Sequence, residues 1–331
     1  MYAIHRWSDD LSIITLPKPG LAALPAARPN NVFVAHGPAP TLINAGHPSQ
    51  QRALSTALRE LDISPDRVER IIATSWAPDC LGGAQHFPQA DLLVSSPDLS
   101  APGRYDDYLE LERQALRLWA DALLATPGWS HLDRAPLEPF IAAWLPRASN
   151  ALPILPLRPG HIVRAGALTL EVIASPGPDP GHINLHEAAR GWLFTGDLPR
   201  DGLPAYVDSV PGMILGMERA LDLKPSVLFP SHAPPDEDGA FSLRRALRFL
   251  NNFLSNAPAA MHGGGRTLAE YVEQDLGFKP THLVRLIYTL RTYAAFLEEL
   301  VRTRMIEASG AGMARRYGAD VEDPRDEVRR R

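Results

Sequence analysis

Three times along this chain an apolar strand runs straight into a short polar loop. "VERIIAT" (68–74) opens onto "SWAPDC", Ser75–Cys80; "WLFTGD" ends at Asp197; and "PSVLFPSHAPP" turns polar at Ser231 and His232. A fourth polar stretch, "ASPGPDPGHINL", lies between two further strands and carries Asp179 and His182. Layered α/β proteins place chemistry in loops just past strand ends, so this recurrence constrains the fold strongly. Taken singly each group has a plain reading. Asp79 and Asp197 can cap the next turn, Cys80 can be a small buried hydrophobe, and His232 a loop histidine. Taken together, one sheet-based fold could bring them to one place.

The segments between these loops support a layered arrangement. "NVFVAHGPAPTLINA" (31–45) predicts two short strands around His36–Pro40, and "PSQQRALSTALREL" (48–61) a helix with Leu54, Ala57, Leu58 and Leu61 on one face. The first 95 residues therefore read β-β-α-β-loop-α-β. Residues 98–150 differ, with a helical stripe of Tyr108, Leu111, Ala115, Leu118, Trp119 and Ala122, and predict a helical insertion. Strands resume at 161–173, and "GMILGMERALDL" predicts a helix before the third loop. Beyond residue 240 the pattern is mostly helical. Thr267 and Glu270 make a capping box, and Pro280 can open a long helix running to Met305. The expected organisation is one α/β domain over 1–240, interrupted by the insertion at 98–150. A small helical appendage follows over 241–308, then a disordered tail over 309–331.

Bulk properties narrow the function classes. With 331 residues and a net charge of −5, the chain lacks the concentrated basic face that nucleic acid requires. Cys80 is the single cysteine, so no intramolecular disulfide can form. No apolar run approaches the ~20 residues of a membrane span. The N-terminus lacks a signal-peptide pattern. The expectation is a cytoplasmic protein with a small-molecule substrate or ligand and no nucleic-acid or membrane partner, with a homodimer left open.

Five stretches in order carry a resemblance: "PTLINAG" (40–46), "IIATSWAPDCLGGAQHF" (71–87), "SPGPDPGHINL" (175–185), "WLFTGDL" (192–198) and "LFPSHAPP" (228–235). They resemble the metal-binding motifs of the metallo-β-lactamase superfamily, in particular its glyoxalase II-like hydrolases with a helical insert and a C-terminal helical, winged-helix-like appendage. The resemblance implies an α/β (α+β) fold, a four-layer αββα sandwich with a dinuclear metal site at one edge of its two sheets. It also implies a split fate for the ligands. The first metal's three histidines fall at Ser75, Ala77 and Pro178; alanine and proline cannot ligate and serine is a poor zinc ligand, so that site is lost. The second metal's positions are Asp79, Cys80, Asp197 and His232, all with donor atoms. Asn44 stands where the family has a supporting aspartate.

The reading that follows is a divergent hydrolase of an ester, thioester or lactone using at most one metal ion. Zinc is the first choice, Fe²⁺ the second, and no metal at all is the other outcome. Asp79, Asp197 and His232 would hold the ion with Cys80 as optional fourth ligand, and Asp79 or Asp197 would act as general base. Asp179, His182, Trp119 and Trp144 are candidate pocket residues. The competing reading is a non-catalytic member whose pocket binds a small molecule or a protein. A nucleic-acid role for the C-terminal module is a distant third.

Overall fold

The computed structural model of the chain describes residues 2–19, 29–95, 105–126, 128–146, 154–198, 207–261, 265–277 and 281–318. Its first half runs β1 (Ala3–Arg6), β2 (Leu11–Leu16), β3 (Asn30–Ala35), β4 (Thr41–Ile43), α1 (Gln51–Glu60), β5 (Arg70–Ala73), α2 (Pro78–Leu81), β6 (Asp91–Ser95), α3 (Tyr105–Leu124), α4 (Leu137–Trp144) and β7 (Ile154–Leu157). The second half runs β8 (Ile162–Ala165), β9 (Leu168–Ala174), β10 (Ile183–Glu187), β11 (Trp192–Gly196), α5 (Val210–Asp222) and β12 (Val227–Pro230). The C-terminal part holds α6 (Gly239–Ala260), β13 (Arg266–Thr267), α7 (Leu268–Leu276), α8 (Leu283–Arg302), β14 (Glu307–Ser309) and β15 (Arg316–Gly318). No helix among the described residues is long and apolar enough to cross a membrane.

The strands β1 to β7 line up in sequence order as one sheet, antiparallel as far as β4 and parallel from there to β7. A second sheet runs β12-β11-β10-β9-β8, and only its β11–β12 pair is parallel. Strands buried on both faces read as continuous apolar runs. That describes β3, with all six residues buried, and β11 and β12, buried throughout. The two sheets close on a core that includes Ile13, Phe33, Ile43, Ile72, Leu185, Phe194 and Phe229. Phe33, Phe194 and Phe229 form its aromatic centre, with ring centroids 4.9 to 5.9 Å apart. Leu54, Ala57 and Leu58 of α1 pack on the outer face of the first sheet. Met213 and Met217 of α5 pack with Leu243, Ala246 and Leu250 of α6 on the outer face of the second. This is the four-layer αββα order that the sequence implied.

Packing links the segments. The apolar face of α6 is buried against α5 in the outer layer of the sandwich. Helices α3 and α4 share a core with the C-terminal helices: Leu116, Leu123, Phe140 and Ile141 pack with Leu283, Ile287 and Leu290. Within the expected tail, Arg316–Gly318 forms β15, which pairs with both β13 and β14 and buries Tyr317 in that core. Residues 319–331 and Pro280 lie outside the described residues. The Thr267–Glu270 capping box is present at the start of α7.

Phe229 touches Trp7, Phe33, Trp192 and Phe194 at once and is fully buried. Phe229→Ala is expected to lower unfolding free energy by about 3–5 kcal/mol, because both transfer energy and cavity formation count against it. Denaturant unfolding of the two proteins measures the difference.

Candidate active site

Parallel pairing carries the ends of β5, β11 and β12 to one edge of the sandwich, and backbone bonds then lock the loops together. The Ile183 N–H donates to Thr74 O at 2.9 Å, joining the two sheets, and the Ser231 N–H donates to Gly196 O at 2.9 Å. Two adjacent asparagines at the head of β3 complete the frame. Asn30 Nδ2 donates to the carbonyl of Asp79 at 2.9 Å. Asn31 Nδ2 donates to the carbonyls of Pro230 and Ala233 at 3.0 and 2.7 Å. Both are buried, so each amide is fully committed to holding a loop. The family motifs contain no signal for this pair. The clue in the sequence was two consecutive amides opening an otherwise apolar strand.

Three of the four expected metal positions meet. His232 Nε2 lies 3.2 Å from Asp79 Oδ2 and 3.3 Å from Asp197 Oδ1, while its Nδ1 sits 3.2 Å from Pro29 O. Burial alone would lower the His232 imidazole; the two carboxylates outweigh it and hold the ring well above its ordinary value, as an imidazolium. Burial would likewise raise the Asp197 carboxyl, but His232 beside it keeps it below the usual carboxylate range. One Nε2–H cannot point at two oxygens, and Asp197 Oδ1 is left buried without a hydrogen bond of good geometry.

Cys80 does not join them. Its thiol is buried against Thr74, with Oγ1 to Sγ 3.9 Å, and burial, reinforced by the charges of Asp197 and Asp79, pushes it well above the ordinary thiol range. The contact that the thiol makes is with Thr74 Oγ1. The local cause is the single turn α2. Neighbouring residues on a helix project about 100° apart, so with Asp79 facing His232 a short side chain at Cys80 faces elsewhere.

The lost-ligand positions have a second arrangement of their own. Ser75 Oγ donates to Asp179 Oδ2 at 2.5 Å and accepts from the Ala77 N–H at 3.0 Å, and Asp179 Oδ1 accepts from the Gly181 N–H at 2.7 Å. Burial raises the Asp179 carboxyl, against the opposing pull of His182 and Ser75. With Ser75 engaged by Asp179 and no donor on Ala77 or Pro178, the donor set does not fit a dinuclear centre. As the side chains stand, no three His, Cys, Asp or Glu among the described residues are arranged to hold a metal ion.

His182 proves to be a brace. Its Nδ1 contacts Ser175 O at 2.8 Å and its Nε2 accepts the Asp197 N–H at 2.9 Å, which fixes the Nδ1–H tautomer and positions Asp197. Gly196, at φ +52°, permits this approach, since a Cβ there would lie 2.4 Å from His182 Nε2. Asn44, also left-handed at φ 62°, accepts from both the N–H and the hydroxyl of Thr74 and donates to Ser231 Oγ at 3.2 Å. Trp144 stacks on His47 at 5.2 Å, whereas Trp119 packs into the helical core of the insert. Tyr108 of the helical stripe reaches the site as well, its ring 5.9 Å from that of Trp76, next in the chain to Ser75.

Comparison with known proteins bears on the fold. Solved structures of the same fold include a metallo-beta-lactamase family protein from Thermus thermophilus, at TM-score 0.73 and 21% identity, covering 94% of this chain and 99% of that one. Another is a beta-lactamase domain protein from Burkholderia ambifaria, at TM-score 0.76 and 17% identity, covering 96% and 94%. Among characterised relatives, the acyl-coenzyme A thioesterase MBLAC2 of Gallus gallus is 26% identical over 194 residues, 56% of this chain and 62% of the relative. That of Bos taurus is 29% identical over 138 residues, 39% and 46%. The chain thus spans less than two thirds of the length of these relatives. The sequence profile of the metallo-beta-lactamase superfamily matches residues 26–232, more than half of the chain, and the chain belongs to that superfamily.

Proposed function

We propose that this protein hydrolyses an acyl thioester at the cluster of Asp79, His232 and Asp197, having given up the dinuclear centre of its superfamily. The observation that carries the reading is the convergence of these three side chains, from three separate loops, at 3.2 and 3.3 Å. An imidazolium held between two carboxylates can offer positive charge to the oxyanion of a tetrahedral intermediate and a proton to a leaving sulfur. The carboxylates keep that proton on His232, and His182 keeps Asp197 in place. A thioester suits so modest a centre. Its leaving thiol has a pKa of about 8.5, so the C–S bond breaks without a strong Lewis acid. The relatives named as acyl-coenzyme A thioesterases add weight to the thioester over an ester or lactone.

A single zinc ion, or iron(II) as second choice, is the competing account of the same three donors; bound there it would supply Lewis acidity. A non-catalytic, ligand-binding role is the second reading, and the burial of Ser75 and Cys80, each 1% exposed, favours it, while the side chains of His232 and Asp197 stay 27% and 21% exposed.

Thiol release from short- and medium-chain acyl-coenzyme A by the purified protein tests the proposal. We expect turnover that survives chelator treatment and falls about 100- to 10,000-fold in His232→Ala, the usual size of a lost acid–base group. Asp197→Asn is expected to fall in the same range. No thiol release above background would sink the hydrolase reading and leave the binding role. Elemental analysis addresses the ion separately. Close to one zinc per chain, lost in His232→Ala along with the activity, would replace the imidazolium by a metal.

A further inference from the structure

We infer that Ser75 is the nucleophile of this site and Asp179 its base, so that the reaction passes through an acyl-serine; this rests on the thioester reading above. The hydroxyl and the carboxylate are 2.5 Å apart, and the remaining polar contacts of both are arranged to suit proton transfer. The Ala77 N–H, at 3.0 Å from Ser75 Oγ, stabilises the negative charge that develops on that oxygen as it loses its proton. The Gly181 N–H, at 2.7 Å from Asp179 Oδ1, fixes the carboxylate so that its other oxygen faces the serine. Burial raises the Asp179 carboxyl, which makes it a stronger base than an exposed aspartate. A serine hydroxyl becomes a useful nucleophile when a base lies within hydrogen-bond reach and a third group orients that base. Here the third group is a backbone amide.

The pair lies beside the cluster already described. The Asp197 carboxylate acts on Asp179 through charge, and Tyr108 of the insert is close enough to feel Asp179, its hydroxyl pushed up by burial and then by that carboxylate. Trp76, next in the chain to Ser75, and Tyr108 give the pair an apolar aromatic flank suited to an acyl chain. A hydrogen bond whose sole task was to tie two loops would not require this arrangement, because the Ile183 N–H to Thr74 O bond already ties them.

The steps balance. Ser75 Oγ attacks the thioester carbonyl carbon, the O–C bond forms, and the serine proton passes to Asp179. The C–S bond then breaks, the leaving thiolate takes a proton from the His232 imidazolium, and the serine proton held by Asp179 returns to His232 through solvent, giving free thiol and acyl-serine. Water attacks the ester carbon, its proton passes to Asp179, and the C–O bond to Ser75 breaks with return of the proton to Oγ. The products are one carboxylic acid and one thiol, with no oxidant or reductant involved.

The test uses the full chain with acetyl-coenzyme A and with 4-nitrophenyl thioacetate, an activated thioester. Rapid mixing with the activated thioester is expected to give a burst of thiol close to one per chain. Acid quench and intact mass spectrometry should then find a single acetyl group, mapped by peptide to Ser75. Ser75→Ala should lose the burst and the adduct. Asp179→Asn should slow the burst about 100-fold or more. Ser75→Cys, nearly the same size, should accept the acetyl group on sulfur and so separates loss of the nucleophile from loss of the fold. Turnover without an adduct, undiminished in Ser75→Ala, would overturn the serine step while leaving thioester hydrolysis standing. An adduct on Ser75 without turnover would support the serine step and sink hydrolysis. Neither adduct nor turnover in the parent protein would overturn both.

Discussion

Two carboxylates drawn out of water into one another's reach need a positive charge between them, and the candidate site is organised around that need. Asp79 arrives from the first sheet and Asp197 from the second, and His232 meets both. Burying an ionised group without a partner costs several kcal/mol, and breaking a buried pair leaves that cost exposed. The loop that carries His232 must therefore be held firmly. Asn31 holds it through two carbonyls, and the Ser231 N–H ties it to Gly196, next to Asp197. The sheets, the loops and the cluster are a single mechanical unit.

That unit has a consequence for preorganisation. In a metal centre the ion itself draws ligands from separate loops together. Here backbone and amide hydrogen bonds already hold the loops together, and the side chains arrive with partners chosen. His182 shows the pattern, with one ring nitrogen against a carbonyl and the other receiving the amide hydrogen of Asp197. Groups fixed before the substrate arrives need no reorganisation during the reaction, and much of an enzyme's electrostatic advantage comes from that.

Much of this was legible in the sequence, and the parts that were not share a cause. Strand-to-loop order can be read because apolar runs and polar loops alternate sharply, and that order together with the family resemblance singles out Asp79, Asp197 and His232. The direction of Cys80 cannot, because a residue's reach depends on which way a single helical turn points it. The hairpin β1–β2 leaves a weak trace, since the edge strand "AIHR" beside "LSIITL" is mostly exposed and carries no strong pattern. Strand β15 was read as tail because three residues with two arginines nearby look disordered until Tyr317 is seen buried in the helical core. Short elements defined by tertiary contacts leave little trace in local periodicity. Ser75 and Asp179 lie 104 positions apart, and nothing in either motif announces the other.

Asn44 gives the substitutions a common logic. If the cations are given up, as proposed, negative charge must go with them, or the remaining carboxylates repel each other without compensation. An asparagine where the family has an aspartate removes one such charge and keeps the acceptor: Oδ1 still takes the N–H and the hydroxyl of Thr74. It also adds what a carboxylate lacks, a donor, and Nδ2 uses it on Ser231 in the loop of His232. Serine in place of a histidine ligand acts in the same direction. Its hydroxyl gives a proton to Asp179, so a carboxylate that would otherwise stand unpaired beside Asp197 is satisfied. On the proposed reading, the serine and the asparagine stand for a hydrogen-bonded charge balance in place of a metal-centred one. Simple decay of an unused site would be expected to leave buried charges stranded, whereas Asp79, Asp179 and Asp197 each face a donor or a positive charge.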